Sequence, residues 1–326
     1  MIVGQDRAVD QLATAWASRK LHHAWLLAGP KGVGKATFAH AAARRVLAEA
    51  AGPAFDLPGL QTPDGHPTVK LIEAGSHPDM RWLKRLPKER GEGLARNISV
   101  DQVRSLGELF DLSPAMSEWR VAVIDTIDEL EPSGANALLK MLEEPPANCL
   151  FLLVSHAPGR LLPTIRSRCR RLDFQPLEDD AMTSIFEAQA PELASADRQR
   201  IISMSFGSAG RALAFAELQL AKLEDAALAI MRQGDPNNAR RSDLAIELGK
   251  KGAAERYSAF LELAPSLIAR ETRQLAGAHR ERALEAYGKA RELAVLAPRL
   301  SLDPAATIFQ IGGILAEVAD RPSLKR

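Results

Sequence analysis

Cysteine is nearly absent. Cys149 and Cys169 are the only two in 326 residues, too few for a disulfide framework or a cysteine zinc site. Neither sign of charge dominates, because 42 lysines and arginines nearly cancel 41 aspartates and glutamates. With no global positive field, any contact with nucleic acid would have to come from a local patch or from a partner. No apolar run approaches the ~20 residues of a membrane span. Asp6, Arg7 and Asp10 interrupt the first residues, where a signal peptide would need an apolar stretch. What is present, 46% hydrophobic and 25% charged residues, is the balance of a soluble globular protein long enough for two or three domains. A cytoplasmic location without a membrane partner is expected.

The first half alternates helical and strand-like patterns. Residues 8–18 place Ala8, Leu12, Ala15 and Trp16 on one helical face. Residues 24–28 are a short apolar run ending at Gly29, as in a buried parallel strand. Residues 37–49 read as an alanine-rich helix. Residues 52–93 are rich in glycine and proline with little periodicity, and predict an irregular insertion with one strand near 80–83. A helix over 101–110, a strand over 120–124, a helix over 135–144 stopped by Pro145 and Pro146, and a strand over 150–154 follow. Strands alternating with helices predict an α/β fold, a parallel sheet with helices on both faces. After Phe174-Gln175-Pro176 no convincing strand remains, and helices are expected to the end.

Gly29-Pro30-Lys31-Gly32-Val33-Gly34-Lys35 lies between a predicted strand and a predicted helix, where G-x-x-x-x-G-K cradles phosphates. Gly29, Gly32 and Gly34 let backbone N–H groups turn toward an anion, and Lys35 would neutralise the β and γ phosphates. The alternative is a plain glycine turn with a solvated lysine. A working loop continues with a Ser or Thr whose hydroxyl ligates Mg²⁺. Here Ala36 offers no oxygen, and Thr37 sits about 100° further round the helix. Asp125 closes the strand over 120–124 in the manner of a Walker-B aspartate and could approach a metal-bound water. The Glu that would polarise the attacking water is replaced by Thr126. Asp128 and Glu129 read as solvated loop or helix-start charges. The phosphate site is thus expected to be defective at two points of the same chemistry.

Several segments together resemble the AAA+ family of bacterial DNA polymerase III clamp-loader subunits. They are Val3-Gly4-Gln5, Leu21 to Pro30, Ala135-Asn136-Ala137-Leu138-Leu139-Lys140-Met141-Leu142-Glu143-Glu144-Pro145-Pro146, Ser167-Arg168-Cys169 and Gly207-Ser208-Ala209-Gly210-Arg211. Leu-Leu-Lys-x-Leu-Glu-Glu-Pro-Pro together with Ser-Arg-Cys is highly specific to that family. Residues 125–128, Asp-Thr-Ile-Asp, are closer to the delta-prime pattern than to the Asp-Glu of the motor subunit. Many relatives carry a four-cysteine zinc module after the P-loop helix. The 52–93 insertion has no cysteine, so no zinc or other metal is expected, and His66 and His77 read as loop histidines.

The resemblance implies an AAA+ P-loop domain over 1–175, a helical lid over 176–218 and an all-α collar domain over 219–326. It implies ATP or ADP as ligand, held weakly or without hydrolysis. Ser155 would be the sensor at the end of its strand and Arg211 the phosphate contact from the lid, unless Arg211 is only a helix-start surface residue. Arg168 would be an arginine finger reaching into a neighbour's nucleotide site, the alternative being a structural ion pair. Partners would be the gamma/tau and delta subunits, with the sliding clamp (beta) and primer-template DNA reached through the complex. An ATP-hydrolysing gamma/tau-type motor subunit is the alternative, against which Ala36 and Thr126 speak. Nothing resembles the carboxylate pair of nucleotidyl transfer.

Overall fold

The computed structural model describes residues 2–88 and 94–319; residues 89–93 of the expected insertion and 320–326 of the expected collar lie outside the described residues. The chain divides into two compact units, Met1–Gln189 with Ser205–Arg211, and Ala190–Met204 with Ala212–Arg326. Residues 176–218 are shared between them.

The first unit runs α1 Asp6–Ala17, β1 Ala24–Ala28, α2 Lys35–Ala51, α3 Pro67–Glu73, β2 Met80–Leu83, α4 Val100–Asp111, β3 Arg120–Asp125, α5 Pro132–Glu143, β4 Cys149–Ser155, α6 Pro163–Ser167, β5 Arg170–Asp173 and α7 Asp179–Gln189. The strands form one sheet in the order β2-β3-β4-β1-β5, and every pairing is parallel. Apolar residues alternate between its two faces because strand side chains have a period of two. Trp25, Leu27, Val121, Val123, Leu150 and Leu152 pack with Leu12 of α1 and with Phe38 and Val46 of α2. Leu26, Ala122, Ile124, Phe151 and Leu153 pack with Val103 and Leu106 of α4 and with Leu138 and Leu142 of α5. Burial on both faces is why these strands read as continuous apolar runs.

Two features differ from the sequence expectation. The 52–93 insertion is not irregular throughout: α3 forms within it, entered through Pro67 at its first turn and capped by buried His66, whose ring accepts from Thr68 N–H. A fifth strand, β5, pairs with β1 although three of its four residues are exposed and charged. It is an edge strand, with only Leu172 turned into the core.

Local chemistry fixes several joints. Ser99 and Gln102 form a reciprocal capping box at the start of α4. At its other end buried Arg120 donates to Phe110 O at 2.5 Å and Leu112 O at 2.6 Å, so a charge on a core strand meets the carbonyls that the helix end leaves open.

The second unit is built from α8 Ser195–Ser205, most of α9 Ala209–Glu217, α10 Leu220–Gln233, α11 Ala239–Leu248, α12 Ala254–Thr272, α13 Gly277–Leu300 and α14 Pro304–Glu317. None of the described helices is long and apolar enough to cross a membrane. Glu224 on α10, only 1% exposed, is engaged by Arg200 of α8 and by Arg270 of α12 at 2.6 Å. Replacing Glu224 by Ala leaves Arg270 without this carboxylate and Arg200 with Asp225, at 2.6 Å, in its place. Both guanidiniums reach water and Arg200 keeps a partner, so no buried charge is left uncompensated and the expected loss is about 1–2 kcal/mol. Urea unfolding of E224A followed by circular dichroism measures it, and a loss near zero would show that the triad adds nothing.

Candidate functional site

Parallel strands end on one edge of a sheet, and three such ends meet at the glycine loop. The loop follows β1 and runs into α2, whose first amides have no acceptor within the helix. Gly34 adopts φ +97°, a conformation that side chains rarely take, and a Cβ there would meet nothing within 4 Å. Gly29 is needed for another reason. A Cβ on it would come within 2.3 Å of Phe174 O. Buried Gln5, from the opening segment, donates to Val33 O at 3.2 Å and Gln175 O at 2.9 Å. The motif match marked Gln5, but only the fold shows that it braces the loop.

Lys35 is 2% exposed, and its ammonium donates to the carbonyls of Gly29, at 2.6 Å, and Pro30. Burial lowers its pKa from 10.5 to about 8, against the upward pull of Asp128 and Asp125. The loop therefore satisfies its own cation, and an arriving anion would compete with these two carbonyls. Ala36 is half-buried on the first turn of α2, and Thr37 beside it is exposed. The donor set suits a phosphate; at Ala36 it supplies no hydroxyl for a metal.

Asp125 ends β3 half-buried. Burial raises its pKa, opposed by the Thr126 hydroxyl at 3.4 Å and by Lys35. Thr126 is buried and also lies 3.3 Å from His156 Nε2. Ser155, fully buried at the end of β4, donates its hydroxyl to Asp128 Oδ1 at 2.8 Å. Asp128 also accepts from His156 N at 2.6 Å and Ala157 N at 3.3 Å. This corrects the solvated reading of Asp128, which is an anchor rather than a loose charge; Glu129 is ion-paired with Arg85 at 2.8 Å. Because Asp128 lies three residues beyond Asp125, its neighbours in sequence gave no sign that it would reach β4.

His156, to which the sequence assigned no role, sits among these groups. Burial first, then Lys35 and Lys31, push its pKa down to about 4, with Asp128 opposing. Its Nδ1 is buried and has no hydrogen-bond partner.

Residues 208–211 lie directly on the glycine loop. Ser208 Oγ donates to Lys31 O at 3.0 Å, Gly210 N donates to Gly32 O at 2.9 Å, and a Cβ on Gly32 would stand 2.2 Å from Ser208 Oγ. Arg211 follows, exposed, with its N–H on Ser208 Oγ at 3.2 Å. The fold thus gathers Gly29, Gly32, Gly34, Lys35, Ala36, Thr37, Asp125, Ser155 and the backbone at Arg211 around one loop. Arg168 has different contacts. At the end of α6 it donates to Thr164 O at 3.0 Å and pairs with Glu143 at 2.9 Å. Cys169 beside it is half-buried, and burial pushes its thiol up to about 12, so no thiolate forms near neutrality.

A family described as "DNA polymerase III, delta subunit" matches residues 4–178. DNA polymerase III subunit delta' of Pseudomonas aeruginosa is 35% identical over 190 residues, 57% of this chain and 53% of that protein. DNA polymerase III subunit tau of Bacillus subtilis is 30% identical over 237 residues, 70% of this chain and 39% of that protein. The chain therefore spans about half or less of the length of these relatives. A solved gamma subunit-related DNA polymerase III protein from Thermotoga maritima aligns over 94% of this chain and 99% of its own, at 17% identity and a TM-score of 0.48.

The pH response of the site follows from His156. Its folded pKa of about 4 lies below the ordinary 6.5, so protons bind the unfolded chain more readily and stability falls as pH drops through that interval. Burial lowers the pKa of His23, His40 and His77 as well, adding in the same direction. Between pH 7 and pH 4.5 the urea midpoint should fall, and fall less in His156→Asn. Equal falls would show that His156 does not carry the effect.

Proposed function

The chain belongs to the DNA polymerase III delta-subunit family, among the clamp-loader proteins of that polymerase, and from this membership we propose that it works as a delta-prime-type subunit. In this reading it holds ATP or ADP weakly or without turnover. Its part in catalysis is to donate Arg168 to a neighbouring ATPase subunit while the sliding clamp is loaded onto primed DNA. One observation supports the reading: the glycine cradle and the half-buried Arg168 belong to separate elements, and the cradle has no hydroxyl at Ala36 and no glutamate at Thr126.

The chain's own residues divide the work accordingly. Lys35 would leave the Gly29 and Pro30 carbonyls to meet phosphate oxygens, helped by the open amides at the start of α2. At neutral pH the Thr126 hydroxyl takes no proton from water, and His156, with its pKa near 4, is too weak a base to replace a glutamate. Asp125 remains, but no Ala36 hydroxyl joins it in holding a metal. Arg168 suits a phosphate because guanidinium stays charged and presents a planar fork of donors. Gamma/tau and delta subunits would be its partners, with the clamp and primer-template DNA engaged through the assembly. The helices of the second unit would supply the lasting subunit contacts.

The rival reading, an ATP-hydrolysing gamma/tau-type subunit, draws on the longer match to the Bacillus subtilis tau protein. ATP turnover of the isolated chain separates the two. None is expected, whereas substantial turnover would mean that Ala36 and Thr126 are compensated and that the motor reading is right. In the assembled complex, Arg168→Ala should slow hydrolysis at the site it faces by roughly 10³-fold or more. Unchanged turnover would sink the finger role.

A further inference from the structure

Glu143 ends α5, where the last carbonyls carry partial negative charge and a carboxylate is disfavoured. Its Oε1 lies 2.9 Å from Arg168 Nη2. The other amino group of that guanidinium, Nη1, donates to Thr164 O at 3.0 Å and to Ser167 Oγ at 3.4 Å. Both ends of the fork are therefore occupied by acceptors of the same chain. The two side chains remain 35% and 42% exposed. Such a pair orients an arginine without committing it, because solvent screens the attraction and the long side chains lose entropy in forming it.

We propose that Glu143 is a positioning residue for Arg168, holding Nη2 in place of a phosphate until a neighbouring subunit's nucleotide takes it over. The inference rests on the finger reading of Arg168. One charge-assisted hydrogen bond is exchanged for another, with no proton or covalent bond changing hands. A terminal phosphate wins the exchange because it brings more negative charge and more acceptor oxygens than a carboxylate. Nη1 can stay on Thr164 O throughout, so the arginine pivots about a fixed end rather than being reeled in from solvent. Glu143 then acts as a competitor of the nucleotide, and removing its charge should make the finger more available.

The test is steady-state ATP hydrolysis by clamp loader reconstituted with gamma/tau and delta, using this chain as wild type, Glu143→Gln, Glu143→Asp, Glu144→Gln and Arg168→Ala. With Glu143→Gln the half-saturating ATP concentration should fall by about two- to fivefold, the range open to a surface ion pair, while kcat stays unchanged. Glu144→Gln removes the same charge one residue away and should change neither quantity. Glu143→Asp draws the carboxylate back from Nη2 and should move half-saturation in the same direction by less, which keeps the test open if the glutamine variant fails to assemble. A lower kcat at unchanged half-saturation would make Glu143 a structural support and overturn the proposal, as would no change in either. Arg168→Ala separates the two failures. If it leaves turnover intact, the finger reading is wrong; if it abolishes stimulation while both Glu143 variants behave as wild type, only the role of Glu143 falls.

Discussion

The Asp128 carboxylate accepts three hydrogen bonds at the end of β4, from the Ser155 hydroxyl, His156 N–H and Ala157 N–H. Asp128 itself lies just beyond β3, so these bonds tie the exits of two adjacent parallel strands to each other. Bonds to a charged acceptor contribute about 1.5–3 kcal/mol each, enough together to keep Ser155 and His156 in one arrangement. That arrangement sets the wall facing the glycine loop, because β4 pairs with β1 on its other side and Ser155 O accepts from Gly29 N–H at 3.3 Å. Without Asp128, Ser155 would be a buried hydroxyl and His156 N a backbone donor, both in need of new acceptors.

Where burial is uniform, the fold was legible from the sequence. β1, β3 and β4 are apolar almost throughout because helices cover both faces, and a run such as Leu150-Phe151-Leu152-Leu153-Val154 has few other uses. β5 was illegible for the converse reason. As an edge strand it needs only Leu172 inside, and Arg170, Arg171 and Asp173 look like a charged loop. β2, the other edge, was marked by Met80, Trp82 and Leu83. α3 went unseen because it is short and its start signal is an unusual one, a histidine cap before Pro67.

The site followed the same division between local and distant information. The glycine loop is a contiguous string, and Ala36 and Thr126 are single letters beside it and just after β3, so their positions could be read directly. Contacts across the chain could not. Gln5 reaching Val33, Ser208 reaching Lys31 and Asp128 reaching Ser155 join residues separated by 28, 177 and 27 positions. Each donor or acceptor is an ordinary polar side chain whose partner only folding supplies. His156 shows the limit most clearly, since its depressed pKa depends on burial beside Lys35 and Lys31.

These distant contacts also bear on what holds the glycine loop in place. Gln5, Ser208 and Gly210 hold the loop by its backbone, and Lys35 satisfies its ammonium on Gly29 and Pro30. None of these interactions uses the hydroxyl missing at Ala36 or the carboxylate missing at Thr126. The packing of the loop is therefore independent of a hydroxyl or carboxylate at these two positions, whereas it depends on the glycines. Gly29 and Gly32 face backbone or side-chain atoms too closely to admit a Cβ. The loop is thus a structural junction, in which Lys35 and the open amides at the start of α2 already stand. Arg168 stands outside that junction, just after α6, with its own acceptors at Thr164 and Glu143. Arg168 draws on Thr164, Ser167 and Glu143 while the loop draws on Gln5, Ser208 and Gly210, so the two places rest on separate contacts.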